Sequence, residues 1–383
     1  MELTFGIISG SILGIFFSLI PGFNIGFAWL AAPMLPGEPR FVVGLIIGVD
    51  LTTSSLKHLH LLHSKHRDDL DEDITNSTDK QQLCTTSFFS YYLTKIVVSI
   101  ASIFMMLVGA LDTFDWGIHT RTLTVVVGIT IWVAIIQMSR HWKIATIAFI
   151  MYGVFSLLTV KLPIQQPMFV LASSLFSANF INEIRFKSEK INLVELDFSR
   201  NSGVIPFIPG VIAGSISGML WGLPTSVVCK IQETGRDTPA TKVSRTAVAD
   251  ATASCIGLTL LMGLGRGRGA ANQAAASFKE VFHSQEIAFV FVIIIILTQV
   301  IYSLWQPIMS TYTAIHNNTP HFIKQLGIVG TVTSLVIFSN GMFLLTSFSA
   351  LMLSKMTRLA EAPRELSLSP MGILPLVSIL KIW

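Results

Sequence analysis

Apolar residues run almost unbroken through 88–110, 122–139, 143–160, 166–182, 284–306 and 325–348, with a shorter run at 366–382. Most of these runs approach the roughly 20 residues a helix needs to cross the hydrocarbon core of a bilayer. Four further stretches, 3–35, 41–62, 203–228 and 245–265, are apolar but interrupted by Gly, Ser, Thr and Pro. The pattern predicts an all-α polytopic membrane protein with roughly nine to eleven membrane segments, some broken or re-entrant. Polar residues gather in the connections. Arg140-His141-Trp142-Lys143 is a basic turn between two spans, and 183–200 carries Arg185, Lys187, Lys190 and Arg200. Both are expected on the cytoplasmic side, which also makes the hydrophilic stretch 63–87 cytoplasmic and 111–121 external.

The chain repeats itself. From Gly6 it reads GIISGSILGIFFSLIPG and from Gly210 GVIAGSISGMLWGLPTS, so that an ungapped alignment lays Gly6, Gly10 and Gly14 on Gly210, Gly214 and Gly218. A Pro21-Gly22 break follows in the first copy and a Gly222-Leu223-Pro224 break in the second. Further on, Asp50-Leu-Thr52-Thr-Ser54 matches Asp250-Ala-Thr252-Ala-Ser254. Two matches in the same order predict an internal duplication. Repeat 1 spans 1–200, with a Gly-stepped hairpin at 5–35 and the cytoplasmic loop 63–87. Repeat 2 spans 201–383, with its hairpin at 203–228.

The chemistry follows from that pattern. Glycine at every fourth position leaves a smooth strip on which another backbone can close. Helix breaks at membrane depth are tolerated where they line a cavity, and matched breaks in two halves point to a transporter's substrate site. Freed amides and half-helix N-termini there attract anions. A carboxylate inside an apolar helix costs about 2.5–3.5 kcal/mol on insertion scales and usually marks an ion or proton path. Asp50 and Asp250 are therefore candidates for ion coupling, with Thr52, Ser54, Thr252 and Ser254 as oxygen ligands for Na⁺ or as groups that orient a proton-carrying carboxylate.

Composition adds exclusions. Apolar residues make up 51% of the 383 positions and charged residues only 13%, so a soluble enzyme and a disordered chain are ruled out. The net charge of +4, without a basic tract bearing aromatics, gives no sign of nucleic-acid binding. Cys84, Cys229 and Cys255 lack zinc or disulfide spacing and read as small apolar fillers. The run His58-x-His60-x2-His63-x2-His66 has no completing ligand upstream and reads as polar capping at the membrane interface, so no metal is expected. Met1-Glu2-Leu3-Thr4 lacks a basic n-region and a cleavage site, so the first segment reads as an uncleaved membrane helix. No catalytic motif of the serine, zinc or paired-aspartate kind is present, and an enzyme is not expected.

At the paired Gly-stepped hairpins the chain resembles the large membrane subunit of the tripartite tricarboxylate transporters, the TctA family, and within it a short, mostly archaeal branch. The likeness continues through Ala249-Asp250-Ala-Thr252-Ala-Ser254, the aliphatic run 256–264 and the turn Arg266-Gly-Arg268-Gly269-Ala270-Ala271. It closes on Ser369-Pro370-Met371-Gly372-Ile373-Leu374-Pro375, similar to the branch's M-G-x-L-x-P ending. The chain departs from the family in reading Gly-Leu-Pro at its second break and in being much shorter than the full subunits. The resemblance implies a substrate region on Gly22, Asn24, Gly222 and Pro224 with the neighbouring Thr225. It also implies a small membrane subunit and a periplasmic binding protein as partners. The expectation is a multi-pass cell-membrane transporter of a small organic anion, a carboxylate, coupled to Na⁺ or H⁺ and using no cofactor. Arg266 and Arg268 are placed to receive the anion at one mouth or to anchor on lipid phosphates. The alternatives are a translocase for a lipid-linked phosphate and a structural membrane protein of the same fold.

Overall fold

The computed structural model describes residues 2–18, 35–59, 77–108, 120–164, 207–219, 225–234, 237–264, 282–318 and 342–359, with single positions at 28, 29, 32, 170 and 174 between them. Among the described residues every regular element is a helix. In chain order these are α1 (Glu2–Ser18), α2 (Pro39–Leu59), α3 (Ser77–Leu107), α4 (Thr120–Met138), α5 (Trp142–Lys161) and α6 (Phe207–Met219). They continue with α7 (Thr225–Ile231), α8 (Pro239–Leu264), α9 (Ser284–Ser303), α10 (Trp305–Asn318) and α11 (Phe343–Leu359). Five contain stretches long and apolar enough to cross a membrane: 39–56 in α2, 83–107 in α3, 142–159 in α5, 239–263 in α8 and 285–303 in α9. This is the make-up of a multi-pass α-helical membrane protein. Of the remaining expected spans, 166–182, 325–348 and 366–382 lie wholly or mostly outside the described residues.

The helices start where local chemistry lets them. Pro39 and Pro239 each occupy the first position of a helix, where a missing N–H costs nothing and the fixed φ suits the turn. Glu38 and Thr238 precede them and accept the first helical bonds, from the amides of Val42 and Lys242, both at 3.0 Å. Thr238 Oγ1 also takes the amide of Thr241 at 3.3 Å. Ahead of α2, Gly37 holds φ at 131°, a left-handed value that suits glycine, and so turns the chain into the helix. The start of α3 differs from expectation. It begins at Ser77, inside the stretch predicted as loop 63–87, because tertiary burial overrides local polarity. Leu83, Cys84, Thr85 and Ser87 are all buried against neighbouring helices.

Glycines then set the helix pairs. A Cβ at Gly6 or Gly10 falls on the carbonyl oxygen of Phe41 or Leu45, and one at Gly44 or Gly48 falls on that of Leu3 or Ile7. Both helices thus contribute glycine to one seam, and α1 lies against α2 backbone to backbone. Residue numbers rise together across the seam, so α1 and α2 run parallel. In the second group Gly210, Gly214 and Gly218 rest against Arg245–Val248, Ala249–Thr252 and Ala253–Ile256, so α6 runs parallel to α8. Along α8, Thr225 at the head of α7 bonds to Asp250, and Cys229 Sγ lies 3.9 Å from the carbonyl of Arg245. α7 therefore runs opposite to α6 on the same helix.

The contacts of the two groups share a register. Gly14 meets Val49 and Thr52, and Gly214 meets Ala249 and Thr252. These pairs, like Pro39 and Pro239 or Asp50 and Asp250, differ by 200 in number. The glycine strips correspond as Gly10 with Gly210 and Gly14 with Gly214, one helical turn away from the ungapped match of Gly6 with Gly210. The outward faces of α1 and α6 (Phe5, Ile8, Ile12 and Phe16; Ile208, Ile212 and Ile216) are apolar and exposed, as lipid contact requires.

Candidate functional site

On an α-helix, residues four apart share a face while residues two apart point nearly oppositely. The D-x-T-x-S segments therefore divide their polar residues between two faces. Thr52 and Thr252 turn toward the glycine strips, and their Cβ atoms are among those nearest to Gly14 and Gly214. Thr252 Oγ1 donates to the carbonyl of Val248 at 2.9 Å, satisfying itself within the helix. The structure thus places these two threonines in helix packing, apart from the carboxylates they were expected to assist.

Asp50 and Ser54 lie on the other face. Ser54 Oγ donates to Asp50 Oδ1 at 2.9 Å, and Ser254 Oγ reaches across from α8 to Asp50 Oδ2 at 3.2 Å. Two turns beyond Asp50, His58 Nε2 lies 3.7 Å from Asp250 Oδ2, while Thr225 Oγ1 donates to Asp250 Oδ1. Position 50 thus faces 254 and position 58 faces 250, so α2 and α8 cross antiparallel. Because α1 follows α2 and α6 follows α8, the two groups run through the molecule in opposite directions. Asp50 lies near the middle of α2, and Asp250 near the middle of α8.

α3 supplies what the aspartates lack. Lys95, only 3% exposed, donates from Nζ to Ser254 Oγ at 2.7 Å, and Ser254 passes the interaction on to Asp50. Its ammonium also sits 5.9 Å from the ring centroid of Tyr91, one turn earlier. The Tyr91 ring packs at 4.6 Å between centroids on His58, whose Nδ1 pairs with Ser87 Oγ at 3.0 Å. Ser90 pairs with Ser244 at 2.6 Å, and Ser99 lies 3.6 Å from Cys255 Sγ. Together these contacts run α3 parallel to α8, and they leave the buried Lys95 and His58 in one polar cluster with the half-buried Asp50, Ser254 and Asp250 where three helices meet. Each buried charge there stands with a hydrogen-bonding or charged partner, the condition under which burial is tolerable.

This corrects the reading of His58. It is 1% exposed and held between α2 and α3, not capping the membrane interface. The other histidines of that run, His60, His63 and His66, lie outside the described residues, as do Gly22, Asn24, Gly222, Pro224, Arg266 and Arg268. Lys95 escaped sequence reasoning altogether. Its signal was the spacing Ser87, Tyr91, Lys95 and Ser99, a polar stripe at four-residue steps inside an apolar span. All three cysteines are free and buried. Among the described residues no group of three His, Cys, Asp or Glu side chains is arranged to hold a metal ion.

A second, separate polar contact stands at the start of α8. Asp237 Oδ2 accepts the Thr234 amide at 2.9 Å and Arg245 Nη2 at 2.8 Å, and these hold its carboxyl below the usual range, the Thr234 amide first. Comparison of the chain with protein-family profiles, curated proteins and solved structures finds no match in any of the three.

Proposed function

We propose that the protein is a secondary transporter of a small organic anion, built on an inverted duplication and coupled to a monovalent cation. The observation that carries this reading is the polar cluster. It joins carboxylates from the middle of two antiparallel, membrane-length helices, each flanked by a glycine-seamed partner. Matching helices that run in opposite directions, with the functional groups where they cross, are the arrangement that lets one site open to either side by rocking of one half on the other.

In this reading α6 and α7 form a re-entrant hairpin. At about 1.5 Å per residue, the 13 residues of α6 cover less than the ~30 Å of hydrocarbon. The head of α7 lies beside Asp250, since Thr225 bonds to that carboxylate. Thr225 stands next to Pro224 and Gly222, and the equivalent break in the first half carries Gly22 and Asn24. Anion binding by broken-helix backbone follows from the exposed amides of such breaks. A carboxylate substrate, and the partnership with a small membrane subunit and a periplasmic binding protein, rest on the resemblance to the tricarboxylate transporter subunit.

The test is uptake of labelled mono-, di- and tricarboxylates into proteoliposomes under an imposed Na⁺ or pH gradient. Accumulation dependent on a gradient, abolished by Asp50→Asn or Asp250→Asn, is the expected result. A protein that accumulates no organic anion under either gradient is not a transporter of this kind.

A further inference from the structure

Resting on that transport reading, we infer that Lys95 is a resident cation at the place a coupling Na⁺ would occupy, and that protons exchanged at the His58–Asp250 pair drive the cycle instead. The oxygens most suited to a cation beside Asp50 are those of Ser54 and Ser254. Ser254 Oγ is already engaged: it accepts the Lys95 ammonium at 2.7 Å and donates to Asp50 at 3.2 Å. A metal ion bonded to the same oxygen stands within a few ångströms of the ammonium, and like charges at that distance in a poorly solvated region repel strongly. A lysine therefore does by covalent attachment what Na⁺ does by binding.

Charge counting completes the argument. The cluster holds two carboxylates, Asp50 and Asp250, and one fixed cation, Lys95. The other titratable groups facing it are His58 from α2, Tyr91 from α3, Cys255 from α8 and Cys229 from α7. α9 brings no charge to the cluster from its described side chains; its Glu286 is paired with Arg40 at 2.9 Å at the other end of α2. Lys95 answers Asp50 through Ser254, so the net charge turns on the His58–Asp250 pair. With one proton held on that pair the cluster is neutral, and without it the cluster carries one negative charge. An anion entering nearby meets a neutral site in the first state and a negative one in the second. Proton and anion therefore strengthen each other's binding by the same factor, which is the requirement for symport. The stoichiometry that follows is one proton per cycle.

Two measurements on the purified full-length protein test this. The first is equilibrium binding of radioactive sodium in detergent, which needs no transport. Wild type is expected to bind none saturably, and Lys95→Ala to gain saturable binding. Saturable sodium binding by wild type overturns the inference. Lys95→Arg, which keeps the charge, guards against a folding defect in the alanine variant: it must remain sodium-insensitive, and sodium binding by it counts against the resident cation. The second is proteoliposome uptake of carboxylates. A monovalent anion taken up with one proton accumulates about tenfold more per unit of pH gradient, since one unit is worth about 1.4 kcal/mol. A Na⁺ gradient at equal pH is expected to add nothing, and His58→Gln to flatten the pH response. Uptake driven by sodium overturns the proton coupling and leaves the transport reading standing. Uptake under neither gradient overturns the transport reading itself.

Discussion

At the residue scale, Lys95 is the centre of the cluster's charge balance. Removing one partner of a buried ionic group leaves the other uncompensated, at a cost of about 3–5 kcal/mol, whereas removing both is often close to neutral. Lys95→Met is thus expected to lower stability by that amount, and Lys95→Met with Asp50→Asn to recover most of it. Thermal unfolding of the single and double variants in detergent measures the coupling, and additive losses would separate the two side chains. Asp50 and Asp250 were legible in the sequence because a carboxylate inside an apolar run stands out by its cost. Lys95 was not, since hydropathy averaged over a span of the length of 83–107 hides one ammonium. His58 was misread for a related reason. It borders the polar stretch that begins around residue 63, and nothing in its own neighbourhood reveals that Ser87 and Asp250 close over it from other helices.

At the element scale, the glycine seam between α1 and α2 has no slack. A methyl group at Gly10 lands on the Leu45 carbonyl, whereas one at Gly218 meets Ile256 Cβ at 3.0 Å and the Ala253 carbonyl at 3.1 Å. Gly10→Ala is therefore expected to cost about 1–3 kcal/mol by forcing the helices apart, and Gly218→Ala distinctly less. Comparing the two unfolding midpoints decides it. The strips were readable from sequence, but their register was not. Identity favours Gly6 over Gly210, while packing follows which glycine meets which turn of the partner helix. The entrance to α8 yields a pH prediction. The Asp237 carboxyl is held below its unfolded value of ~3.9, so its contribution is complete above that pH and is lost as pH falls through the lower folded value. Asp237→Asn is expected to cost about 1–3 kcal/mol near neutrality, the worth of a hydrogen bond to a charged group. It is also expected to lose that acid-limb dependence in unfolding measured against pH.

At the scale of the whole molecule, the antiparallel crossing of α2 and α8 fixes which ends lie together. The starts of α2 and α9 share one end, where Arg40 meets Glu286, and the starts of α3 and α8 share the other, where Ser90 meets Ser244. Lys230, Lys242 and Arg245 lie around the second end, for which the excess of basic residues predicts the cytoplasmic side. A membrane-impermeant thiol reagent is expected to label Glu38→Cys and His283→Cys from outside and Thr234→Cys only from within. Labelling of all three from one side contradicts the crossing. The membrane class and the helix-forming stretches were plain from hydropathy. The relative direction of the two groups was not, because it depends on contacts between residues some 200 apart in the chain, Asp50 with Ser254 and His58 with Asp250.

The short helices α6 and α7 carry a consequence for biogenesis. The described residues of each are too few to cross a bilayer, and the surface that seats them, α8, is synthesised after both. During translation the pair emerges before the helix that its glycines and Thr225 pack against. Its final packing is expected to wait for α8 to offer the faces around Arg245–Ile256. A nascent chain stalled with only residues up to 231 outside the ribosome should leave 207–231 open to protease, and one extended past 264 should protect it. α8 thus acts as the template for the two helices made before it.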